Sequence, residues 1–372
     1  MSLELPKLTI QKKILETNDS VTLVFNIPEL LKNQFIYQPG QYITLNLNIN
    51  GQTVTRCYSF SSVCDSNESP RITIKRVENG IASNYILDQV KEGDTITVGP
   101  PAGHFFNKNL ADEKPWHYIL FAAGSGITPL YSILKYLLKS SKEHKVDLIY
   151  SNRFLDNIIF KEELEQLQTA HSEQLRIHHV ISKPDATFTG FKGRLTSTIL
   201  RLISSMHIEK VSLPKQVYMC GPQTYMQTIQ EFFAGFLAPD QIHFESFDLH
   251  PVHHKAEENE KKLSDTDAVC IGSAYKEKII GKSHIVATID DDEVSVEYNS
   301  DDSILEALLN AGENPPFSCM SGSCLACRAK VVEGRVTQVE PGVLSDDDID
   351  SGYTLSCQCH PLTANVKLNF DI

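Results

Sequence analysis

The chain has 372 residues, 41% hydrophobic and 22% charged, a length that favours two or three domains. Its formal charge of −13 argues against a nucleic-acid partner, because phosphate binding needs a basic face. There is no apolar run of about eighteen residues and no charged N-terminal region followed by an apolar stretch. Membrane insertion and secretion are therefore not predicted, and a cytoplasmic location is expected.

Residues 1–112 contain short β-branched and aromatic runs separated by turn residues, such as VTLVFNI and RITIKRV. This spacing predicts a small antiparallel β-barrel. In residues 113–248, strand-like runs such as YILFAA alternate with helical stretches such as PLYSILKYLLKS. That alternation predicts a parallel sheet in a doubly wound α/β domain. Residues 249–284 are polar and charged without a sustained period, which predicts a linker.

Residues 285–372 are expected to form a third module of short strands with one helix, SILEALLNAG. Sixteen acidic residues against four basic ones give it a net charge of −12, which leaves −1 for the preceding residues. Such a surface can simply be solvated, or it can steer docking onto a complementary partner.

Four cysteines in this module carry the strongest chemical signal. Cys319, Cys324, Cys327 and Cys357 have the C-x4-C-x2-C…C spacing of plant-type [2Fe–2S] clusters. Zinc is the alternative, but zinc sites usually pair two short cysteine knuckles and only one occurs here. Cys359 competes with Cys357 as the fourth ligand, and in an extended strand only one of the two side chains can reach the iron.

Two motifs in the α/β segment predict a dinucleotide site. Gly124-Ser-Gly126-Ile-Thr128-Pro129 follows a strand and precedes a helix, where glycines let a pyrophosphate approach the helix N-terminus. Pro129 replaces the third glycine of the Rossmann fingerprint, so a plain structural turn is the alternative. Cys220-Gly221-Pro222 ends another predicted strand, at the edge where such sheets bind ligands or merely pack tightly.

Two motifs in the barrel segment predict a flavin site. In Arg56-Cys-Tyr58-Ser59, the tyrosine offers an aromatic face for a flat ring and the arginine offers donors to a phosphate. Lys75 is followed by Gly80-Ile-Ala82-Ser83, a predicted turn with donors for a second phosphate. A barrel can carry either motif by chance, so the order of the motifs along the chain decides between a flavin site and chance occurrence.

In this order, the barrel motifs, the glycine turn, Cys220-Gly221-Pro222 and the four cysteines resemble ferredoxin–NADP reductase-like proteins with a C-terminal plant-type ferredoxin domain, a β-grasp fold. The chain is most similar to reductase subunits of phenylacetyl-CoA epoxygenase systems. The segments behind this closer match are Arg56-Cys-Tyr58-Ser59, Ile74 to Val77, Tyr150-Ser-Asn-Arg153 followed by IIFKEEL, and Gly352 to Gln358. Leu355-Ser-Cys-Gln358 resembles the fourth-ligand motif of plant-type ferredoxins, which favours Cys357 as the ligand.

The resemblance implies an electron-transfer chain from a nicotinamide through FAD to the cluster and then to a separate oxygenase, expected to be a di-iron one. A flavin is needed because a nicotinamide gives two electrons as hydride and the cluster accepts one. The resemblance places Arg56, Tyr58 and Ser59 at the flavin, with Ser83 on its pyrophosphate. It places Cys220 and Glu245 beside the nicotinamide, and it assigns catalytic roles to Ser59, Cys220 and Glu245.

The remaining choices concern the cofactors and the acceptor. The second strand of the α/β segment ends in Ser151-Asn152-Arg153, and a basic residue at this place favours NADPH over NADH. Arg153 as a solvated surface charge is the alternative. FMN replaces FAD in the related phthalate dioxygenase reductase type. Another oxygenase or desaturase, or a non-enzymatic redox-sensing role, are the rival functions.

Overall fold

The computed structural model describes residues 5–64 and 68–247 continuously, and in the C-terminal third residues 269–271, 282–289, 291–298, 302–313, 315–317, 322, 326–338, 344 and 346–371. The chain divides into two compact units, residues 1–247 and 248–372. Across the described ranges, we find no helix with the length and apolar character that a membrane span requires.

The first sheet of the first unit is antiparallel and has the order β4-β3-β6-β1-β2-β5. Its strands are β1 (Lys7–Thr17), β2 (Ser20–Asn26), β3 (Tyr42–Ile49), β4 (Gln52–Ser59), β5 (Arg71–Lys75) and β6 (Thr95–Val98). Just beyond β4, Phe60 forms an antiparallel bridge to Ile72 of β5, which joins the two ends of the order. The sheet therefore closes as the predicted barrel, and buried side chains such as Leu8, Leu23 and Leu45 fill it.

Two short helices accompany the barrel. The segment predicted as a turn at Gly80 begins helix α1 (Ile81–Asp88), with Gly80 as its N-cap. Ala82 and Ile86, four residues apart on one face, are buried in the barrel core, and this contact explains a helix that the strand-rich sequence did not suggest. Helix α2 (Lys108–Glu113) lies at the predicted junction between residues 112 and 113.

The second sheet of the first unit is parallel and has the order β10-β9-β8-β7-β11-β12. Its strands are β7 (His117–Ala123), β8 (Lys145–Asn152), β9 (Leu175–Ile181), β10 (Phe191–Lys192), β11 (Lys215–Cys220) and β12 (Ile242–Glu245). Its helices are α3 (Ile127–Ser140), α4 (Lys161–Ala170), α5 (Ser197–Ile203), which continues into a π-helical turn, and α6 (Gln223–Phe233).

Apolar clusters cover both faces of this sheet, one including α3 and α4 and the other including α5 and α6. The predicted doubly wound α/β fold is confirmed. The chain moves outward from β7 in one direction and then returns to β11 on its other side, so the strand order reverses between β7 and β11. Open α/β sheets bind ligands at the carboxyl ends of the strands at such a reversal.

The second unit contains a mixed five-stranded sheet, β15-β14-β20-β16-β18, and a three-stranded sheet, β13-β17-β19. Its strands are β13 (Val269–Ile271), β14 (Ser283–Ile289), β15 (Asp292–Tyr298), β16 (Arg328–Glu333), β17 (Arg335–Gln338), β18 (Tyr353–Leu355), β19 (Cys359–Pro361) and β20 (Asn365–Asn369). Its helices are α7 (Ile304–Asn310) and α8 (Asp346–Asp350).

Helix α7 is the helix predicted from SILEALLNAG. Ser303 and Glu306 form a capping box at its start, and Ile304 and Leu308 pack into the core of the five-stranded sheet. A mixed sheet with α7 packed on it is the predicted α+β fold of this module, whereas the short helix α8 was not predicted.

Most of the predicted linker, residues 249–284, lies outside the described residues. Within it, Val269–Ile271 form β13, which pairs in parallel with β17, and Ser283 already begins β14. This strand was not predicted, because the apolar triplet Val-Cys-Ile lies in a polar stretch without periodicity. The bounds of the four predicted segments stay predictions.

Candidate cofactor sites

The predicted flavin residues lie at the end of β4. Arg56 and Tyr58 share one face of the strand because side chains alternate, and Ser59 lies on the other face. Ser59 is buried, and burial raises the pKa of Tyr58 to about 12. Burial thus disfavours ionisation of Tyr58 still further, and its phenol can donate a hydrogen bond beside its ring.

The three residues predicted to be catalytic come together at one place. The Ser59 hydroxyl donates a hydrogen bond to Glu245 Oε2 at 3.3 Å, and both side chains are buried. Glu245 ends β12 and pairs in register with Cys220, the last residue of β11. The strand that carries Ser59 and the sheet edge that carries Cys220 and Glu245 therefore meet.

The glycine turn lies against that same edge. Gly124 has a left-handed φ of 55°, which glycine adopts without strain. A Cβ atom on Gly126 would lie 2.1 Å from the Cys220 carbonyl oxygen, so only glycine allows this approach. Pro129 is tolerated because it is the third residue of α3, where the backbone N–H has no partner within the helix.

Two tyrosines, the buried Tyr150 and the half-buried Tyr225, hold the turn in position. Tyr150 donates its hydroxyl hydrogen to the Gly124 carbonyl at 3.0 Å, and Tyr225 donates to the Ala122 carbonyl at 3.0 Å. Thr128 closes the turn with a hydrogen bond of 3.1 Å to the Ser125 carbonyl. The open side of Gly124 faces the barrel, since a Cβ atom there would first meet the Lys75 ammonium, at 4.0 Å.

The second predicted phosphate contact is the start of α1. The Ser83 hydroxyl accepts a hydrogen bond of 3.1 Å from the Val77 N–H, so its own proton remains available to a ligand. A Cβ atom on Gly80 would lie 2.7 Å from the Ser83 hydroxyl. Glycine thus lets the chain bring Ser83 and Ala82 to the beginning of the helix, where free N–H groups favour an anion.

The end of β8 carries the residues predicted to choose the nucleotide. Asn152 is buried and Ser151 is half-buried, whereas Arg153 is exposed with its guanidinium 5.4 Å from the centre of the Phe154 ring. Lys183, which follows β9, was not among the predicted residues. Its N–H donates to the Arg153 carbonyl at 2.8 Å, so two basic residues lie side by side at this sheet edge. The run Ser182-Lys183 after the strand RIHHVI was the available signal.

In the second unit, Cys327 and Cys357 face each other with their Sγ atoms 3.2 Å apart. A disulfide would bring them to about 2.05 Å, so both are thiols. They share an apolar cluster with Leu305 and Leu355, whereas Cys359 packs into the core of the sheet, its sulfur 3.8 Å from the Ser356 carbonyl. Cys319 and Cys324 lie outside the described residues.

Comparison with known proteins identifies these segments. Residues 7–106 match the oxidoreductase FAD-binding domain family, residues 120–231 the oxidoreductase NAD-binding domain family and residues 287–362 the 2Fe-2S iron-sulfur cluster binding domain family. The ferredoxin reductase component of 3-ketosteroid-9-alpha-monooxygenase from Rhodococcus rhodochrous is 32% identical, over 98% of this chain and 96% of that protein.

One component of the 1,2-phenylacetyl-CoA epoxidase of Escherichia coli (strain K12) is 31% identical, over 98% of this chain and 97% of that protein. The solved structure of phthalate dioxygenase reductase superposes with a TM-score of 0.61, covers 98% of both chains and is 24% identical, so it supports the fold.

The fold and the sites define a ferredoxin–NADP reductase-like flavoprotein with a C-terminal [2Fe–2S] domain. The chain belongs to the family of reductase components of oxygenase systems. The predicted class, the FAD and [2Fe–2S] cofactors and the use of a nicotinamide nucleotide are confirmed.

Proposed function

We propose that this reductase oxidises NADPH and delivers single electrons to the di-iron oxygenase of a phenylacetyl-CoA epoxidase system. The hydrogen bond between Ser59 and Glu245 carries the first half of the proposal, because it joins the predicted flavin strand to the predicted nicotinamide edge. A bound flavin accepts hydride as an electron pair and releases the electrons one at a time.

The barrel residues fit an FAD. Arg56 supplies guanidinium donors for a phosphate, and Tyr58 supplies a half-buried ring with a neutral phenol. Ser83 and Ala82 bring a hydroxyl and helix N–H groups to a second phosphate. Ser59 would lie at the reacting part of the ring, where its hydroxyl proton is held by Glu245.

The α/β residues fit a dinucleotide. Gly124, Gly126, Thr128 and Pro129 form a turn that leaves the Gly124 backbone open toward the Lys75 ammonium, a suitable place for a pyrophosphate. Gly221 and Pro222 follow Cys220 at the same edge. A Cβ atom on Gly221 would lie 2.8 Å from the Ala123 side chain, so glycine keeps this edge compact around the nicotinamide.

The cysteine geometry supports the proposed cluster ligands. The two sulfurs of Cys327 and Cys357 are close enough to reach one iron atom. With Cys319 and Cys324 they supply four thiolates, the ligand set of a plant-type cluster. The separate packing of Cys359 favours Cys357 as the fourth ligand.

Arg153 supports NADPH as the electron donor, since a guanidinium at the end of the second strand can bind the additional phosphate. We assign Lys183 to the same task, because its backbone is bonded to that of Arg153. Ser151 and Asn152 would contact the adenosine side of the nucleotide. A cytoplasmic location is also proposed, because its reducing conditions suit the free thiols of the described cysteines.

The acceptor can be tested by reconstitution. The holoprotein with NADPH should support epoxidation of phenylacetyl-CoA by epoxidase oxygenase subunits prepared without their own reductase. The oxygenase of a 3-ketosteroid 9α-monooxygenase is the matched alternative, because its reductase has nearly the same identity to this chain. Faster turnover with the steroid oxygenase would replace the proposed acceptor and leave the reductase function intact.

A further inference from the structure

Arg71 of β5 and Glu163 of α4 form a bidentate ion pair between the barrel and the parallel sheet layer. Arg71 Nη1 donates to Glu163 Oε1 at 3.0 Å, and Nη2 donates to Oε2 at 2.6 Å. Only 12% of the Arg71 side chain is exposed. Two parallel bonds from a planar guanidinium fix the orientation of the partners as well as their distance.

Two aromatic residues complete this contact, and we call Arg71, Tyr131, Phe160 and Glu163 the clamp. The rings of Tyr131 and Phe160 stack with centres 4.4 Å apart, and the Arg71 guanidinium lies 5.6 Å and 5.4 Å from them. Tyr131 also donates its hydroxyl hydrogen to Glu163 Oε2. Burial alone would raise the pKa of Glu163, but the bonds from Arg71 and Tyr131 outweigh it and hold the pKa below its usual value. Arg71 and Glu163 are therefore both ionised at neutral pH.

The clamp continues to the glycine turn through a strained residue. Phe160 has φ 60° and ψ 28°, a left-handed conformation that is rare for a bulky aromatic and persists only where its surroundings impose it. The preceding N–H, that of Ile159, donates to the Tyr150 hydroxyl at 3.3 Å. Tyr150 in turn donates to the Gly124 carbonyl. A shift of Phe160 would thus be transmitted to the turn.

On the barrel side, the clamp is tied to the strand end that carries Ser59. The Arg71 carbonyl accepts a hydrogen bond of 2.9 Å from the Ser61 N–H, two residues beyond Ser59. Ser62 follows Ser61 in the chain, and its carbonyl accepts a buried hydrogen bond of 2.7 Å from the Ser132 hydroxyl of α3. Helix α3 is the helix that begins at the glycine turn. Both ends of the clamp therefore lead to cofactor-binding segments.

We propose that Arg71 and Glu163 are positioning residues that fix the nucleotide-binding turn at Gly124 relative to the flavin-binding strand at Ser59. This inference rests on the proposed hydride transfer between those two segments. Neither residue needs to touch a cofactor, since Phe160 and Tyr150 transmit their position. A displacement of about 1 Å between reacting groups can lower a rate by about a hundredfold.

The test uses the FAD- and cluster-loaded protein with Glu163→Gln, which removes the charge and keeps the shape. Glu162→Gln is the matched control, because Glu162 is the neighbouring residue and is exposed. Flavin bleaching is followed by stopped flow at saturating NADPH, or at saturating NADH if that nucleotide reduces the parent faster, and nucleotide affinity is measured separately. We expect Glu163→Gln to bind the nucleotide within about twofold of the parent and to reduce its flavin about tenfold to a hundredfold more slowly.

Arg71→Lys is the second variant, since lysine keeps the charge and loses the two-pronged geometry. It should slow flavin reduction in the same way, and the double variant should be no slower than the slower single variant. An unchanged saturating rate in both single variants, with only a lower melting temperature or weaker nucleotide binding, would overturn the inference. A parent protein whose flavin neither nucleotide reduces would refute the proposed function instead.

Discussion

The sulfur of Cys327 lies 3.2 Å from the sulfur of Cys357, whereas Cys359, only two residues further on, packs in a different apolar core. The short turn at Ser356–Gln358 causes this separation, because it interrupts the strand between β18 and β19. The two cysteines that compete in the sequence are therefore distinguished by the fold.

Cys357→Ser should abolish the iron content and the visible absorption of the cluster, because a hydroxyl replaces one of four thiolate ligands. Cys359→Ser should retain both, with a lower melting temperature because a polar group enters a core. Iron analysis and absorption spectra check this prediction, and the flavin spectrum serves as the internal control. Iron retained in Cys357→Ser and lost in Cys359→Ser would reverse the ligand assignment.

Ser59→Ala should slow flavin reduction at saturating nucleotide by up to about tenfold, because a side-chain hydrogen bond contributes about 0.5–1.5 kcal/mol. Ser59→Thr retains the hydroxyl and should recover most of the rate. Stopped-flow bleaching of the flavin measures both variants. Equal rates in parent and Ser59→Ala would remove Ser59 from the reacting part of the site.

Arg153→Ala and Lys183→Ala should each raise the Michaelis constant for NADPH and change that for NADH little, since NADH lacks the phosphate that they would bind. A charge-assisted bond of about 1.5–3 kcal/mol corresponds to about tenfold or more for each residue. Steady-state kinetics with both nucleotides and an artificial electron acceptor test this. Equal losses with the two nucleotides would show that neither residue discriminates.

Asp147 should be a main determinant of the stability of the parallel sheet. Its carboxylate is fully buried and accepts hydrogen bonds from His117 at 2.7 Å, His178 at 2.9 Å and Arg176 at 2.7 and 2.9 Å. Asp147→Asn should lower the free energy of unfolding by about 3–5 kcal/mol, the usual effect of removing one partner from a buried ion pair. Denaturant unfolding measures it, with the exposed Asp240→Asn as control.

The pH dependence of the unfolding free energy follows from the directions of the pKa shifts of Asp147 and His117. Burial by itself would raise the pKa of Asp147, but the bonds from His117, His178 and Arg176 hold it well below its usual value. That carboxylate contributes its stability at any pH above the unfolded value of about 3.9 and loses it as the pH falls toward the folded value. Burial also lowers the pKa of His117, so the unfolded chain takes up this proton first and stability declines below about pH 6.5.

Asp147→Asn removes the group that favours protonated His117, so the pKa of His117 should fall further. The Asp147→Asn protein should therefore lose more stability between pH 7 and pH 5 than the parent does. An unfolding free energy that changes with pH equally in the two proteins would contradict this account of the cluster.

The fold of each of the three modules could be predicted from the sequence because its signals are local. The site segments were chosen from equally local signals, and the roles of their residues stay predictions. Strand and helix periodicity, the glycine turn before α3 and the spacing of the first three cluster cysteines all act within a few residues. Helix α1 was missed because it depends on Ala82 and Ile86 packing against the distant barrel core. Lys183 was missed for the same kind of reason, because only the pairing of β8 with β9 brings it beside Arg153.

Whether an acidic residue of the C-terminal module can contribute to docking also depends on its neighbours in the fold. Asp348 accepts a hydrogen bond of 3.0 Å from Arg328, whose guanidinium lies 3.7 Å from the centre of the Tyr353 ring. Asp348 is therefore part of an ion pair beside Cys327 and contributes less to a docking field than its sequence position suggests. The docking role of the remaining acidic residues stays a prediction.

We propose that electrons pass from NADPH to FAD and then to the cluster. Rapid mixing of the anaerobic holoprotein with NADPH, followed at flavin and cluster wavelengths, tests it most directly. Flavin absorption should bleach first and cluster absorption second, and Cys357→Ser should retain the first phase and lack the second. Cluster bleaching that precedes flavin bleaching, or that proceeds unchanged in a preparation stripped of FAD, would contradict it.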